Sequence, residues 1–287
     1  MTGPLDPEDI LAGLTPAVIP SEVTCFARLP STMDEARRRA ADGAAEGLVV
    51  LAEEQTAGRG RLGRAWLAPP GSALLLSLLL RPRWLAPERA FALTMLAATG
   101  LCAAVEEATG LRPALKWPND VLLNGRRSTG ERRTVGESVS PTKEESHLSQ
   151  PSKAAGILAE LHLQAGAIEW AVIGVGVNVH AHPPLGDTSY PATSLDAALG
   201  RRADRLALLR ALLRRLDAGY AALRAGGYEA LFADWRAHLD TLGRAVRIVT
   251  LTEALEGVAE DVSPTGALLV READGALHTV TTGDVQA

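Results

Sequence analysis

Cysteine is scarce: Cys25 and Cys102 are the only two in 287 residues. Two cysteines cannot make a disulfide framework, and these lack zinc-type spacing. Both are therefore expected to be reduced, buried thiols of a cytosolic protein. Long apolar runs are lacking too. The longest, Ala73 to Leu80, has Ser77 inside it and falls far short of a membrane span. The N-terminus has no basic leader region, and its apolar residues are interrupted by Pro4, Pro7, Gly13 and Pro16, which excludes a signal peptide. A cytoplasmic location follows by elimination. Positive charge is not in excess: the formal net charge is −5, against the basic balance usual in nucleic-acid-binding proteins. Before Thr24 there is also no room for a helix-turn-helix domain, so no DNA-binding role is expected.

What is present is ordinary globular composition, 47% hydrophobic and 22% charged. The length suits one large domain, or one large and one small, each able to bury a core. Residues 1 to about 22 read as an arm that packs loosely or begins with a small helix around Glu8 to Leu14. From Val23 to about Asp240, strand-like and helix-like segments alternate. Gly47 to Ala52 and Ser72 to Leu80 are predicted as buried strands between Gly and Pro punctuation. Arg89 to Thr109 carries a broad apolar stripe at helical spacing, and Gly110 supplies its stop. Gly156 to Leu163 and Trp170 to Val179 are strand-like, with glycines in the second where backbone must approach something closely. Leu206 to Leu223 and Tyr228 to His238 are predicted helices. From Gly243 onward the pattern is short strands, with turns at Ser263 to Gly266 and Ala273 to Gly275, predicting a small β-barrel domain.

Ser128 to Ser152 fits neither pattern. Its large apolar residues are few, Val135, Val139 and Leu148, too few to offset the entropy of ordering. The expectation is a mobile surface loop, of a length uncommon in compact domains.

Four segments carry chemistry. Gly58-Arg59-Gly60-Arg61-Leu62-Gly63-Arg64, followed by Trp66, places three glycines and three arginines in seven residues. The glycines permit close backbone approach, and guanidiniums grip carboxylate and phosphate oxygens bidentately. Such a loop suits a reaction that joins a carboxylate to a triphosphate; the same residues also fit an RNA-binding stretch or a solvated turn. In Lys116-Trp117-Pro118-Asn119-Asp120, proline fixes a turn, with Lys116 a charge for phosphates and Asp120 an oxygen ligand for Mg²⁺; a plain structural turn is the bland alternative. Lys153 stands at the mouth of a buried strand, where it can neutralise charge developing in a transition state, although most lysines before strands are merely solvated. Gly174-Val175-Gly176-Val177-Asn178 can admit a planar ligand and offer an amide to a base edge, or be a glycine-kinked core strand.

Taken in order, and with Ser31-Thr32-Met33-Asp34-Glu35-Ala36 and Glu54-Gln55, these segments closely resemble the biotin–protein ligase family. The resemblance runs from about Pro30 to the C-terminus, where Asp261 to Val270 looks like a hairpin of the family's last domain. It implies an α/β (α+β) fold, a mixed-sheet biotin/lipoate-ligase-like catalytic domain over 23–240 followed by a small SH3-like β-barrel over 241–287. It further implies a two-step reaction: biotin and Mg-ATP give biotinyl-5′-AMP and pyrophosphate, then a lysine of a biotin carboxyl carrier protein takes the biotinyl group. Ser31, Thr32, Met33 and Gln55 would face the ureido ring. Arg59, Gly60 and Arg61 would close over the adenylate, and Lys153 would contact biotin's carboxylate and the phosphate, with Lys153 and Arg61 the catalytic pair. Arg64, Trp66, Lys116 and Asn178 would serve ATP, and Asp120 the Mg²⁺.

Three departures from the family pattern stand out. Met33 occupies the third position of a Ser-Thr-Asn motif and removes a hydrogen-bonding side chain. Leu62 replaces what is often another arginine. Ser128 to Ser152 separates Arg127 from Lys153, and removing it restores the family spacing, so the stretch reads as an insertion and its Lys143 as a solvated charge. A lipoate–protein ligase shares fold and reaction type, but the Gly58 to Arg64 loop and the Lys116 to Asp120 turn fit biotin better. The non-enzymatic alternative is a biotin-sensing module of the same fold, against which Arg61 and Lys153 count. The sequence leaves a homodimer open and points to neither nucleic acid nor membrane as a partner.

Overall fold

A computed structural model describes residues 4–123, 151–182, 191–250 and 254–286. The predicted alternation resolves into two sheets. In the first part, helix α1 (Pro7–Leu11) precedes β1 (Glu22–Phe26), α2 (Thr32–Ala41), β2 (Leu48–Ala52), β3 (Ala73–Leu80), α3 (Ala92–Thr109), β4 (Ala114–Lys116) and β5 (Asp120–Leu123). Then come β6 (Ser152–Gln164), β7 (Ala167–Asn178), α4 (Leu195–Leu199), α5 (Arg205–Arg224) and α6 (Tyr228–His238). These strands form one seven-stranded mixed sheet in the order β1-β2-β3-β7-β6-β5-β4, parallel only between β1 and β2. Strands β8 (Ala245–Val249), β9 (Ala254–Val262), β10 (Leu268–Arg271), β11 (Leu277–Val280) and β12 (Asp284–Gln286) form a second, antiparallel sheet of five.

Strand β3 shows why the first sheet is sandwiched. All eight of its residues are buried, so alternate side chains feed two different cores. Leu74, Leu76, Leu78 and Leu80 join the main core with α3 and α5, whereas Leu79 packs on the other face with Met33, Ala36 and Ala40 of α2. Helix α3 is apolar all round, buried from Ala92 through Cys102 and again at Ala104 and Val105, as a helix between a sheet and other helices must be. It lies in the one stretch among the described residues long and apolar enough to cross a membrane, but that stretch is 78% buried inside the protein. Gly110 ends it in the left-handed conformation at φ 77°, where a side chain would be strained.

The short helix expected near the N-terminus forms, ending at Leu11 rather than Leu14. The segment is held firmly rather than loosely: Ile10 and Ile19 are fully buried, and the Asp217 carboxylate accepts from the backbone N–H groups of Ala17, Val18 and Ile19, each at 2.8 Å. Burial pushes the thiol of Cys102 up to about 12 and that of the half-buried Cys25 up to about 11, so neither is a thiolate near neutrality. The two sheets meet through one continuous core, and the Trp117 indole donates to the Gly266 carbonyl at 2.8 Å.

The stretch read as an insertion lies outside the described residues up to Gln150, as does Lys143. Its last residue, Ser152, begins β6 and is the register partner of Leu123, the last residue of β5. The expected boundary at Ser152 therefore runs one residue into a strand, and the chain leaves and rejoins the sheet at paired positions.

Candidate active site

Every residue given a catalytic, binding or metal role from the sequence, except Lys116, lines one cavity of about 1190 Å³ including its open mouth. Its floor is the pair of long strands β6 and β7, and four segments close over it. The N-terminus of α2 contributes Ser31, Thr32 and Met33, the chain after β2 contributes Gln55, the glycine–arginine loop forms the roof, and β12 adds Asp284 from the second sheet.

The inner end is neutral and polar. Ser31 and Thr32 are each 2% exposed, Thr32 donates its backbone N–H to Gln55 Oε1 at 2.7 Å, and its hydroxyl reaches the same oxygen at 3.1 Å. The glycines of β7 make the floor flat. A Cβ on Gly176 would lie 2.6 Å from the Trp66 indole, and one on Gly174 would lie 2.8 Å from Met33 Sδ. The planar group these glycines admit here is thus the protein's own tryptophan, which also lies 3.0 Å from where a Cβ on Gly156 would be. Among the described residues Trp66 Nε1 and Asn178 Oδ1 are buried without a hydrogen-bond partner, while the Asn178 amide nitrogen donates to Thr193 O at 3.1 Å. Unpaired polar atoms lining a cavity are groups a ligand can satisfy.

The outer end is cationic, and Lys153, Arg64 and Arg59 are each paired with an internal carboxylate. Lys153 Nζ is 2.7 Å from Asp120 Oδ1. Arg64 contacts Asp284 at 2.6 Å, and Arg59 contacts Asp34 at 2.8 Å and Glu160 at 3.4 Å. Arg61 donates to Asn119 Oδ1 at 3.2 Å, Thr282 Oγ1 at 3.3 Å and Gly283 O at 3.4 Å. Burial pulls its guanidinium below the usual arginine range, against the pull of Asp120 and Asp284. Lys116 does not reach the cavity wall. It is 5% exposed behind it, 3.9 Å from Asp284, and burial drives its ammonium below the ordinary lysine value while Asp120 and Asp284 oppose that shift.

The loop's geometry follows from its sequence. Leu62 takes φ 55° and Gly63 φ 74°, two successive left-handed residues between Arg61 and Arg64, both of which reach residues 282–284, and Arg64 N–H closes the turn on Arg61 O. The leucine at a position strained for a side chain is half exposed.

Asp284, Thr282 and Gly283 were not foreseen. They lie about two hundred residues from the loop in sequence, and nothing local marks them, so only the docking of the second sheet reveals them. Asn119 was noted as a turn residue, but its cavity-lining place and its bond to Ile157 O at 2.7 Å come from the fold. Ser77 was visible as the one polar residue in an apolar run, and it proves fully buried against Thr32.

Comparison with known proteins agrees with this architecture. Residues 25–178 match the Biotin/lipoate A/B protein ligase family, and residues 241–286 match the Biotin protein ligase C terminal domain. The Biotin–[acetyl-CoA-carboxylase] ligase of Mycobacterium tuberculosis is 34% identical over 270 residues, covering 92% of this chain and 88% of that one. Its counterpart from Paracoccus denitrificans is 32% identical over 251 residues, covering 86% and 92%. Among solved structures, a biotin protein ligase from Aquifex aeolicus in complex with biotin and ATP superposes with a TM-score of 0.70 at 23% identity, covering 92% of this chain and 97% of that one. A mixed sheet capped by a glycine–arginine loop and closed by a small antiparallel sheet is the architecture of a protein ligase. The chain belongs to the biotin/lipoate A/B protein ligase family, and its second domain places it among the biotin protein ligases.

Proposed function

We propose that this chain activates biotin with Mg-ATP to biotinyl-5′-AMP and transfers the biotinyl group to a lysine of a biotin carboxyl carrier protein in the cytoplasm. The observation that carries this reading is the polarity gradient of this cavity: buried neutral donors and acceptors at one end, an apolar floor, and Lys153, Arg61 and Arg64 at the other. A neutral ureido ring, an aliphatic tail and a carboxylate meeting a phosphate need those three environments in that order. Ser31, Thr32 and Gln55 take the ring, with Met33 as apolar wall. Lys153 and Arg61 offset the charge that builds when the biotin carboxylate attacks the α-phosphate and pyrophosphate leaves. The carrier lysine amine then attacks the mixed anhydride, forming the amide and releasing AMP. Arg59, Gly60, Arg64, Trp66 and Asn178 serve the nucleotide, and Lys116 acts on its phosphates from behind the wall.

The donor set fits a metal that arrives with the nucleotide. Among the described residues no group of three or more metal-ligating side chains exists, but Asp120 and Asp284 both line the cationic end, and Mg²⁺ is commonly held by one or two carboxylates plus substrate phosphates. Asp120 and Asp284 would hold that ion, which supplies charge neutralisation at the phosphates. The catalytic domain is assigned to 23–240 and the C-terminal domain to 241–287, after an arm at 1–22. Biotin-dependent exchange of pyrophosphate into ATP tests the first half-reaction. An intact-mass increase of one biotinyl group on a carrier domain tests the second.

Arg61→Ala is expected to speed dissociation of biotinyl-AMP by about tenfold or more while changing ATP affinity less, because the glycine loop recovers its ordering cost only through contacts to the formed anion. Equal release rates of the preformed adenylate from parent and variant, measured by stopped flow, would remove Arg61 from that role.

Deleting 128–151 is expected to leave an active enzyme. The excision keeps Ser152 in β6, and the paired positions Leu123 and Ser152 let the remaining residues 124–127 close as a short turn. Loop entropy changes by only about 0.6 kcal/mol per halving of length, so thermal stability should stay level or rise slightly. Loss of biotinyl-AMP formation would show the stretch to be part of the active site; loss of carrier transfer alone would assign it to carrier recognition.

A further inference from the structure

Ser77 is the one polar side chain in β3, and it is fully buried in a strand otherwise made of alanine and leucine. A lone hydroxyl in such a strand needs a partner, and its partner is informative: Ser77 Oγ donates to Thr32 Oγ1 at 2.8 Å. The direction of this bond is fixed by the groups beyond it. The Thr32 backbone N–H can only donate, so the Gln55 atom 2.7 Å away is the amide oxygen. An amide oxygen only accepts, so the Thr32 hydroxyl proton also goes there, at 3.1 Å. With its proton committed, Thr32 Oγ1 is left with two lone pairs, one of which takes the Ser77 proton.

The chain Ser77→Thr32→Gln55 therefore sets what the neutral end of the cavity offers. With its oxygen held on Thr32, Gln55 turns its Nε2 donor under the glycine loop, 3.1 Å from where a Cβ on Gly58 would stand. Thr32 keeps its remaining lone pair as an acceptor. A cyclic urea carries a carbonyl acceptor flanked by N–H donors, and one donor beside one acceptor is its complement.

We propose that Ser77 is a positioning residue for ring recognition: it touches no ligand, but by donating to Thr32 Oγ1 it holds that hydroxyl in the place from which its remaining lone pair faces the cavity beside the Gln55 Nε2 donor. This rests on the reading of the cavity as a biotin site. A purely structural role is dispensable by comparison. Without Ser77, Thr32 still has Gln55 as partner, and an alanine at 77 would sit between the buried leucines Leu75 and Leu79 of the same strand face.

The test is a double-mutant cycle read by biotin titration calorimetry, steady-state ATP kinetics and thermal unfolding. Ser77→Ala should weaken biotin binding about fivefold to tenfold, the loss expected for one neutral hydrogen bond in the bound state. The KM for ATP should change less than twofold, and the unfolding temperature should hold or rise. In a Thr32→Val background the same Ser77→Ala change should alter biotin affinity less than twofold, because the relay is already cut. Ser77→Cys, which keeps a side-chain donor in a slightly larger and weaker form, should fall between parent and alanine, and it serves equally if the alanine variant fails to fold. An unchanged biotin affinity in Ser77→Ala, an equal loss in the Thr32→Val background, or a parallel loss of ATP affinity would each overturn the proposal. A parent protein lacking biotin-dependent pyrophosphate exchange would instead overturn the reading of the site on which it rests.

Discussion

Lys153→Ala is expected to slow biotinyl-AMP formation by about two to three orders of magnitude, the cost of removing one preorganised charge from a developing anion. The lysine is placed for that task by backbone bonds rather than by its own contacts. Its N–H donates to Pro191 O at 2.7 Å and its carbonyl accepts from Thr193 N–H at 2.9 Å, so the start of β6 is gripped from a second segment. Its ammonium is held at the cavity by Asp120, 2.7 Å away, and lies 5.8 Å from the centre of the Trp66 ring. Truncation also leaves Asp120 without that partner, so the experiment needs two readouts. Single-turnover formation of the adenylate should collapse, while transfer from preformed biotinyl-AMP to the carrier should fall far less. Lys143→Ala should leave both rates unchanged. A normal adenylation rate in Lys153→Ala, or a large loss in Lys143→Ala, would move the catalytic lysine elsewhere and undo the insertion reading with it.

What the sequence made legible was whatever is local and chemically dense. The Gly58 to Arg64 loop, the Lys116 to Asp120 turn and the glycines of β7 announce themselves within a few residues, because close backbone approach and anion binding need particular residue types at short spacing. Helix α2 was not legible as a helix. Half of its residues are charged, its apolar face is only Met33, Ala36 and Ala40, and its stability draws on ion pairs such as Glu35 with Arg38 and Arg39; the motif at its start drew attention to binding instead. The glycines of β7 were recognised as admitting something flat, but that Trp66 and Met33 fill the space depends on how a loop and a helix fold over the strand. Lys116 was placed at the phosphates by its motif; it pairs with Asp120 across β4 and β5 and lies 3.9 Å from Asp284, but it is not among the residues that line the cavity. Contacts between ends of the chain, such as Arg64 with Asp284, leave no local trace at all.

The largest expected loss of stability lies away from the chemistry, at Arg205. This first residue of α5 has a side chain only 3% exposed, and it grips Glu53 with both nitrogens, Nη1 to Oε2 and Nη2 to Oε1, each at 2.8 Å. Nη1 also donates to Ala73 O at 3.2 Å, so the fork ties α5 to the start of β3. Glu53 Oε1 additionally accepts the backbone N–H of Leu5 at 2.8 Å, and the Glu53 backbone bonds to Phe26 O and Gly71 N–H. One bidentate pair thus joins the N-terminal segment, β1, β3 and α5, two residues before Gln55. Removing one partner of a buried pair strands the other charge and costs about 3–5 kcal/mol, which for a protein of this size lowers the unfolding temperature by roughly 6–20 °C. Arg205→Ala should show that loss, and salt should not reproduce it in the parent, because buried pairs are poorly screened. Arg205→Met combined with Glu53→Leu should recover much of the stability, since apolar groups of similar volume can replace a buried pair. Biotin affinity should still fall in the double variant, because the Glu53 carboxylate that anchors the chain just ahead of Gln55 to α5 and to Leu5 is gone. A double variant as unstable as Arg205→Ala alone would mean that packing, not the stranded carboxylate, carries the effect. Unchanged biotin affinity in the double variant would detach this pair from the ring-binding end of the cavity.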